Sequence, residues 1–380
     1  MRITRLKLQN WRNFKQVEMN LGQRAFILGP NASGKSNLLE AIKFLRNLVT
    51  VGGGLQEAVR QLGGVGEIRS FMATKNPNVS IEIDIGDDEE LAQWSYNLEF
   101  RAQERTRVPI VVLEEAFASG KAITTRDKVA DEADAARLTQ TALEQVNANK
   151  AFRPIAEFLA SVRYLHVVPQ IIRDPNRSSG RDDPFGGDLI ERINATPPRT
   201  QAARLKRMEE ALKIAVPKLS NLELEIDDKG VPHLRAKYNH WRPSGAWQRE
   251  DRFSDGTLRL LGLIWALQES KGPLLLEEPE LSLNDGVVAR LAPMFARATR
   301  RSRRQVIVTT HSEALLSDSV DVSEIHLLEV DDQGTRVIPA KAVPEITALV
   351  EAGVPVGEAV LPHVTAKNVG QLSLIDLLQS

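Results

Sequence analysis

The feature that most constrains this chain is a glycine-rich segment between an apolar run and a helix-like run. Gly29 to Ser36 matches the pattern G-x-x-x-x-G-K-[ST]. The apolar run 25–28 precedes it, and residues 37–45 follow it with apolar side chains at helical spacing. In this context the glycines let successive N–H groups point at an anion, and the helix N-terminus adds a favourable dipole. The segment therefore predicts a phosphate-binding loop.

Each position of the loop has an expected role. Lys35 is expected to reach the β- and γ-phosphate oxygens, and the Ser36 hydroxyl is expected to hold Mg²⁺. The residues predicted to contact the bound nucleotide are Asn31, Ala32, Ser33, Gly34, Lys35, Ser36 and Asn37.

Composition excludes several classes of protein. The net charge of −1 excludes a strongly electropositive molecule, so any nucleic-acid site must be a local patch. The chain has no cysteine, which excludes disulfides and thiolate metal sites and fits a cytoplasmic protein. No run approaches the roughly 18 apolar residues of a membrane span, and the first residues alternate like a strand rather than a signal peptide. If the bound nucleotide drives transport across a membrane, the membrane channel must therefore be on another chain.

The pattern along the chain predicts an α/β fold with a mixed sheet core, an antiparallel β subdomain and a helical lobe. Residues 1–28 predict a hairpin, and three alternating runs predict an antiparallel meander. Residues 120–160 predict helix without a long coiled coil. The remaining predicted elements are helices at 37–48, 55–62, 188–194, 200–216, 287–301 and 343–363, strands at 162–168, 222–226 and 233–238, and loops at 173–184 and 239–251.

The bend of the N-terminal hairpin is a second candidate contact with the nucleotide. We predict that Arg12 and Asn13 bind the nucleotide here, beside Trp11 and Phe14. A base could rest on an aromatic or guanidinium plane. The alternative is that Trp11 and Phe14 are core residues.

Three later stretches could complete a triphosphate site. Ser254 and Gly256 stand at the start of an apolar helix, where a hydroxyl, N–H groups and the dipole can bind an anion. Glu277 and Glu278 end an apolar strand, and there they would bind Mg²⁺ and polarise the attacking water. His311 ends the next apolar strand, within reach of a γ-phosphate. Five arginines between Arg297 and Arg304 fit either a helix C-terminus or a nucleic-acid patch.

Taken together, these residues resemble the ATP-binding-cassette (ABC) ATPases, in the soluble branch of RecF, the structural-maintenance-of-chromosomes (SMC) proteins and the OLD-type (overcoming-lysogenisation-defect) ATPases. The residues from Gly29 to Ser36 match Walker A, and 274–280 match Walker B, with Glu278 at the catalytic glutamate. Residues 254–257 resemble the signature motif, 281–284 fall at the D-loop and His311 at the switch histidine. Gln170 is the candidate Q-loop ligand of Mg²⁺. The resemblance implies ATP and Mg²⁺ as cofactors, and three lobes at 1–160, 161–330 and 331–380.

The chain departs from the family pattern in ways that bear on function. Glu277 stands where Asp is usual, as in many OLD-like ATPases, and the signature differs from the transporter form. Neither a long coiled coil nor a Toprim nuclease is present in the sequence pattern. The resemblance implies an ATP-hydrolysing homodimer or larger homo-oligomer that acts with a separately encoded effector in anti-phage defence or a toxin–antitoxin-like system. In that reading residues 331–380 are a docking segment. The alternative is a RecF-like DNA-binding ATPase of repair, and a transporter cassette ranks third.

Overall fold

The computed structural model describes residues 1–73, 76–126, 128–145, 150–174, 182–239, 246–269, 272–316, 319–332 and 334–365. Spatial contacts divide the chain into unit 1, Met1–Val162 with Thr309–Ser380, and unit 2, Arg163–Val308. These units are defined by spatial contacts, whereas the three lobes predicted above are defined by sequence motifs. The predicted lobe boundaries stay predictions.

Unit 1 begins with a hairpin and a meander that share one antiparallel sheet, in the order β2-β1-β4-β5-β6-β7. Alternation produces this sheet: Val79, Ile81 and Ile83 are buried, whereas the polar residues between them are partly exposed. The predicted hairpin and meander are confirmed. The first seven strands of the chain are β1 (Arg2–Trp11), β2 (Phe14–Asn20), β3 (Arg24–Leu28), β4 (Val79–Gly86), β5 (Trp94–Ala102), β6 (Pro109–Ala118) and β7 (Lys121–Thr125).

The helices of this part of unit 1 are α1 (Lys35–Val49), α2 (Leu55–Gln61), α3 (Val65–Ile68), α4 (Lys128–Ala133) and α5 (Arg153–Ala160). The prediction of helix throughout 120–160 is wrong at Lys121–Thr125, which forms β7. A tight turn pairs Ala118 with Lys121, and cross-strand hydrogen bonds outweigh the local helix preference.

An aromatic cluster holds α1 against the antiparallel sheet. The ring of Phe44 on α1 lies 5.4 Å from the ring of Trp11 and 5.4 Å from the ring of Phe100. All three side chains are almost fully buried. The indole of Trp11 also donates to the carbonyl of Asn37 at 2.8 Å. This packing fixes the first turn of α1, and with it the end of the glycine loop.

Unit 2 contains a parallel strand pair, a three-stranded antiparallel sheet and six helices among its described residues. Strand β12 runs parallel to β8 and neighbours β13, and β9, β10 and β11 form the antiparallel sheet. In chain order the elements are β8 (Arg163–Leu165), α6 (Pro169–Ile172), α7 (Leu189–Asn194), α8 (Pro198–Ala215), β9 (Leu219–Ile226), β10 (Pro232–Tyr238), β11 (Ala246–Arg249), α9 (Asp255–Gln268), β12 (Leu274–Glu277), α10 (Asp285–Val288), α11 (Leu291–Ser302) and β13 (Val306–Thr310).

Several predictions for unit 2 need correction. The strand predicted at 162–168 is limited to β8, and the helix predicted at 287–301 is two helices, α10 and α11. Trp247 lies on β11 rather than in a loop, because Ala246–Arg249 pairs with β10. Trp241 and residues 175–181 of the predicted loop lie outside the described residues.

The chain then returns to unit 1 with β14 (Ile325–Asp331), β15 (Gly334–Pro339), α12 (Pro344–Glu351) and α13 (Val356–Val364). Strand β14 runs parallel to β3 and forms an antiparallel hairpin with β15. The helices predicted within 343–363 are confirmed, and the two strands were not predicted. Residues 366–380 of the predicted docking segment lie outside the described part. No helix in the described ranges is both long and apolar enough to cross a membrane.

The arginine cluster after α11 is not a continuous surface patch. Arg304 is fully buried, and its guanidinium donates to the carbonyl of Gly272 at 2.8 Å and to the carbonyl of Ala266. Burial lowers its pKa to about 10. A nucleic-acid patch that includes Arg304 is therefore excluded, whereas Arg300 and Arg301 lie in the last turn of α11, where they complement the dipole.

Candidate nucleotide-binding site

The glycine loop joins β3 to α1 as predicted, and two of its glycines are required by close packing. Gly34 caps α1 with φ of 99°, in the left-handed region. A Cβ on Gly34 would lie 2.2 Å from Nδ2 of Asn13, and a Cβ on Gly29 would lie 2.8 Å from Cβ of Leu328. Any larger residue at either position must displace its neighbour.

The side-chain amide of Asn13 supports the glycine loop through hydrogen bonds. Its Nδ2 donates to the Ser33 carbonyl at 2.7 Å and to Oγ1 of Thr335 at 2.6 Å. Its Oδ1 accepts from Nδ2 of Asn37 at 2.8 Å. Asn13 and Asn37, both predicted to touch the nucleotide, here make contacts that position the loop and the first turn of α1.

The loop fits a phosphate by two observations. The Oγ of Ser33 is buried, with no hydrogen-bond partner among the described residues, as expected for a hydroxyl that serves a ligand. The Nζ of Lys35 is nearly buried and donates to the carbonyls of Gly29 and Pro30 at 3.0 and 3.1 Å, so the ammonium lies against the loop. Asn31, Ala32 and Ser36 are exposed on the loop and the first turn of α1, where a ligand has access to them.

The hairpin bend is a structural support rather than an open stacking platform. Trp11 and Phe14 are fully buried, which confirms the core alternative for both. The guanidinium of Arg12 donates to Oε2 of Glu40 at 2.9 Å and to the carbonyl of Glu67 at 3.0 Å. These contacts tie Arg12 to α1 and α3. Its role towards the nucleotide stays a prediction.

In unit 2, the carboxylate of Glu277 lies at the carboxyl end of β12, beside β8. The hydroxyl of Tyr164 on β8 donates to Oε2 of Glu277, and Nδ1 of His166 lies 3.3 Å from the Glu277 carbonyl. Strand pairing explains this proximity, because Tyr164 is the register partner of Leu275 and Glu277 follows two residues later. Tyr164 therefore fixes the side chain that is predicted to hold Mg²⁺.

Glu278 lies directly beyond β12 in a tight turn. Its φ of 43° is in the left-handed region, which is uncommon for a residue with a side chain. The nearly buried guanidinium of Arg259 on α9 interacts electrostatically with Glu280, Asp255 and Glu278. Burial lowers the pKa of Arg259, and these carboxylates oppose that shift. The turn is thus held next to a positive charge.

The signature-like segment begins α9 as predicted. Ser254 is the N-cap residue, and its Oγ accepts from the Thr257 N–H at 3.3 Å. A Cβ on Gly256 would lie 2.8 Å from the carbonyl of Ser282, so the start of α9 packs directly on the segment that follows the carboxylates. This contact brings the signature-like and D-loop-like segments together within one unit.

Gln170 and His311 complete the set of predicted residues. Gln170 lies on α6 and is exposed, and its Nε2 donates to Oδ2 of Asp255 at 3.2 Å. Arg173 also contacts Asp255. His311 is exposed in unit 1, immediately after β13. Within the described ranges no three His, Cys, Asp or Glu side chains cluster as a metal site.

Each unit thus gathers part of the predicted set. Unit 1 places the loop, the hairpin bend and His311, and unit 2 places Ser254, Gly256, Glu277, Glu278 and Gln170. Sequence reasoning missed Tyr164 and Thr335 as supports of the site. No local pattern marks them, since Thr335 meets Asn13 across 322 positions and Tyr164 meets Glu277 across 113.

Comparison with known families agrees with this geometry. The family model AAA_21, described as "AAA domain, putative AbiEii toxin, Type IV TA system", matches residues 24–317, well over half of the chain. The chain belongs to this AAA_21 family. This family match, with the RecF relatives and the SMC heads described below, supports the resemblance to ABC-type ATPases of the RecF/SMC class that was drawn from the motifs.

Curated relatives match over a shorter stretch. The DNA replication and repair protein RecF of Rhizobium meliloti (strain 1021) is 36% identical over 89 residues, which are 22% of this chain and 23% of the relative. RecF of Bacillus mycoides (strain KBAB4) is 32% identical over 85 residues, with the same shares. The matched region thus spans about a quarter of these relatives.

Solved structures extend the likeness to the fold. The SMC head bound to the C-winged helix domain of ScpA has a TM-score of 0.55 at 17% identity, and the match covers 89% of this chain and 97% of that chain. The SMC head with an extended coiled coil from Pyrococcus furiosus has a TM-score of 0.51 at 14% identity, with 92% and 99% covered. The predicted fold class, an ABC ATPase fold, is confirmed.

Proposed function

We propose that this AAA_21 protein binds and hydrolyses Mg²⁺-ATP and works as an ATP-gated dimer. The observation that carries the proposal is the phosphate cradle of unit 1. There the buried hydroxyl of Ser33 has no hydrogen-bond partner in the part of the chain that the structure describes, Gly34 gives the backbone close access, and Lys35 lies against the loop. ATP supplies the phosphates that this cradle would hold, and its hydrolysis supplies the free energy for opening.

The remaining residues have distinct proposed roles. Ser36 and Glu277 would hold Mg²⁺, with Gln170 as a further ligand, and Glu278 would orient and polarise the attacking water. His311 would contact the γ-phosphate. Ser254 and Gly256 of a second copy would close over that phosphate, because an N-cap serine and the N-terminus of a helix suit an anion. Contacts made only in the closed dimer would shift the open–closed equilibrium.

Two substitutions test the enzyme at different steps. Lys35→Ala removes the charge that faces the phosphates and should abolish binding in a titration with a fluorescent ATP analogue. Glu278→Gln should retain binding, lower the rate of phosphate release by at least about a hundredfold, and trap a dimer with ATP in light scattering after size exclusion.

Asp285→Asn is the matched control, because it likewise replaces a carboxylate by an amide, at an exposed position seven residues after Glu278. It should hydrolyse ATP like the wild type. Wild-type hydrolysis by the Glu278→Gln protein would contradict the assigned role.

The biological role we propose is that of an ATP-gated sensor or scaffold in anti-phage defence or a toxin–antitoxin-like system, acting with a separately encoded effector. The description of the family as related to a type IV toxin–antitoxin system supports it. Phage challenge of cells that carry this gene with its neighbours tests it, with Lys35→Ala expected to abolish protection. Co-purification of a neighbouring gene product with the wild-type chain would identify the effector.

A RecF-like role in DNA repair is the second candidate, favoured by the similarity to RecF of Rhizobium meliloti and Bacillus mycoides. It expects duplex binding that strengthens with ATP and weakens steeply with salt. Binding assays with and without ATP therefore separate the two roles.

A further inference from the structure

A second cavity lies in unit 1, outside the candidate nucleotide site. It has a volume of about 370 Å³ and lies between the segment after α3 and the loop that joins β5 to β6. We call it the hairpin pocket, defined by its lining residues Val65, Gly66, Arg69, Ser70, Phe71, Pro77, Arg101, Ala102, Glu104 and Arg107. Its volume is at the lower end for small-ligand pockets, which run from about 300 to 1,000 Å³.

The hairpin pocket is positively charged. Three arginines and one glutamate line it, and in the described part of the chain none of the four makes a salt bridge. Other arginines of the same sheet are neutralised: Arg5 lies within 3.0 Å of both Asp84 and Glu18. Arginines that line a cavity without carboxylate partners are available for a phosphate, to which their planar forks are well suited.

An aromatic ring stands at the edge of this charged cavity. Phe71 is 95% exposed and the neighbouring Met72 is 42% exposed. A phenylalanine gains stability by burial, so a fully exposed ring has no structural benefit at this position. Next to arginines, such a ring offers a face on which a nucleic-acid base can stack.

The backbone around the pocket is held in place. The Arg107 N–H donates to the Gln103 carbonyl at 2.9 Å, and the Gln103 N–H donates to the Val108 carbonyl at 2.8 Å. On the other wall, the Ser70 N–H donates to the Asn10 carbonyl at 2.9 Å. The backbone of the pocket is therefore anchored to β1 on one wall and closed by the loop's own hydrogen bonds on the other.

We propose that the hairpin pocket binds single-stranded nucleic acid. Arg69, Arg101 and Arg107 contact the two phosphates that flank one nucleotide, and the unstacked base of that nucleotide lies on the ring of Phe71. The small volume fits one nucleotide unit of a flexible strand, whereas a duplex keeps its bases stacked and cannot place one on the ring. This site is separate from the proposed ATP site and does not depend on it.

Fluorescence anisotropy of the full chain with a labelled oligothymidylate of about 16 nucleotides tests the proposal. Phe71→Ala should weaken binding by roughly five- to a hundredfold, and Phe71→Tyr should restore it, because the stacking face returns. Arg107→Ala should weaken binding and reduce the slope of log affinity against log salt by about 0.7. Melting temperatures of all variants check that the fold is intact.

Arg105→Ala is the matched control. Arg105 is an exposed arginine in the same β5–β6 loop that does not line the cavity, so its loss changes the same net charge. Equal losses for Arg105→Ala and Arg107→Ala would overturn the proposal, as would unchanged binding by Phe71→Ala. Equal affinity for a duplex of the same length, or full displacement of the strand by equimolar thymidine monophosphate, would also overturn it.

The Lys35→Ala protein makes the two proposals separable. It should lose binding of the ATP analogue and retain the strand. If it binds neither ligand and melts like the wild type, the hairpin pocket is not an independent site, and this inference is wrong.

Discussion

At the residue scale, the glycine loop depends on one amide outside the motif. Asn13 bonds the Ser33 carbonyl, the Asn37 amide and the Thr335 hydroxyl at once. It lies beside Gly34 so closely that a Cβ there has no room. The loop geometry is therefore preorganised by the hairpin bend and by β15 as well as by its own glycines.

Asn13→Ala removes these three bonds and leaves the Ser33 carbonyl and the Asn37 amide without that partner. We expect about tenfold weaker binding of a fluorescent ATP analogue, which corresponds to roughly 1.4 kcal/mol. Gln16→Ala, on an exposed position of β2, is the control and should bind like the wild type. Unchanged affinity in the Asn13→Ala protein would show that the loop keeps its shape alone.

His326 on β14 is expected to make the stability of the protein depend on pH. It is 5% exposed, its Nδ1 has no partner among the described residues, and burial lowers its pKa from 6.5 to about 4. The unfolded chain therefore binds a proton at higher pH than the native chain does. Stability is full above pH 6.5 and is lost as the pH falls towards 4, by up to about 3 kcal/mol.

Between about pH 7 and pH 5, His326 should contribute a loss of roughly 2 kcal/mol in the free energy of unfolding. In urea titrations at both pH values, His326→Leu should lose correspondingly less stability on acidification than the wild type. An unchanged pH dependence in His326→Leu would rule out this histidine as the cause.

At the scale of elements, the segment after β7 is held to the antiparallel sheet by a buried carboxylate. Glu114 on β6 is fully buried and accepts from the Tyr96 hydroxyl at 2.9 Å, the Arg126 guanidinium at 3.2 Å, and the backbone N–H groups of Ala142 and Leu143 at 2.7 and 3.0 Å. Burial raises the pKa of Glu114, and these donors oppose that shift. Glu114 thus ties the irregular chain at Ala142 and Leu143 to β6.

Glu114→Ala removes the acceptor of the buried Tyr96 hydroxyl and of the Ala142 and Leu143 N–H groups, whereas Arg126 keeps its ion pair with Asp131. Because each buried donor left unsatisfied costs about 1–3 kcal/mol, we expect a loss of about 3–5 kcal/mol in the free energy of unfolding, measured by urea denaturation. Glu115→Ala is the neighbouring control, because Glu115 is partly exposed and accepts a long hydrogen bond of 3.4 Å from Nδ2 of Asn97. A similar loss of stability in both variants would mean that the hydrogen bonds of Glu114 do not contribute to the free energy of unfolding.

The same scale shows where sequence reasoning succeeds. The strand, loop and helix around Gly34 and the acidic strand end at Glu277 were predictable, because each combines an apolar run with residues of restricted geometry. Strand β7 and strand β11 were not, because Lys121–Thr125 and Ala246–Arg249 are short, polar and stabilised by pairing with strands already in place. The supports of the site, Thr335 and Tyr164, depend on register between distant strands, which no local pattern encodes.

At the scale of the whole molecule, the proposed dimer can be tested by asking which copy supplies each part of an ATP site. In a two-fold symmetric head-to-tail arrangement, each site takes Walker A from one copy and the signature from the other. Lys35→Ala and Ser254→Arg should each be inactive alone. When they are mixed in equal amounts, every mixed dimer regains one intact site, in which an unmodified loop meets an unmodified signature.

Random mixing makes half of the dimers mixed, and each has one of its two sites intact, so about a quarter of wild-type ATP hydrolysis should return. A mixture of Lys35→Ala with Glu278→Gln is the matched control, because both positions act from the same copy and no intact site can form. The measurement is the rate of phosphate release from both mixtures. Differently tagged copies first show that subunits have exchanged and that mixed dimers are present. Activity can return only if the signature of one copy completes the glycine loop of the other. If the first mixture stays as inactive as its components while mixed dimers are present, Ser254 does not act across the interface.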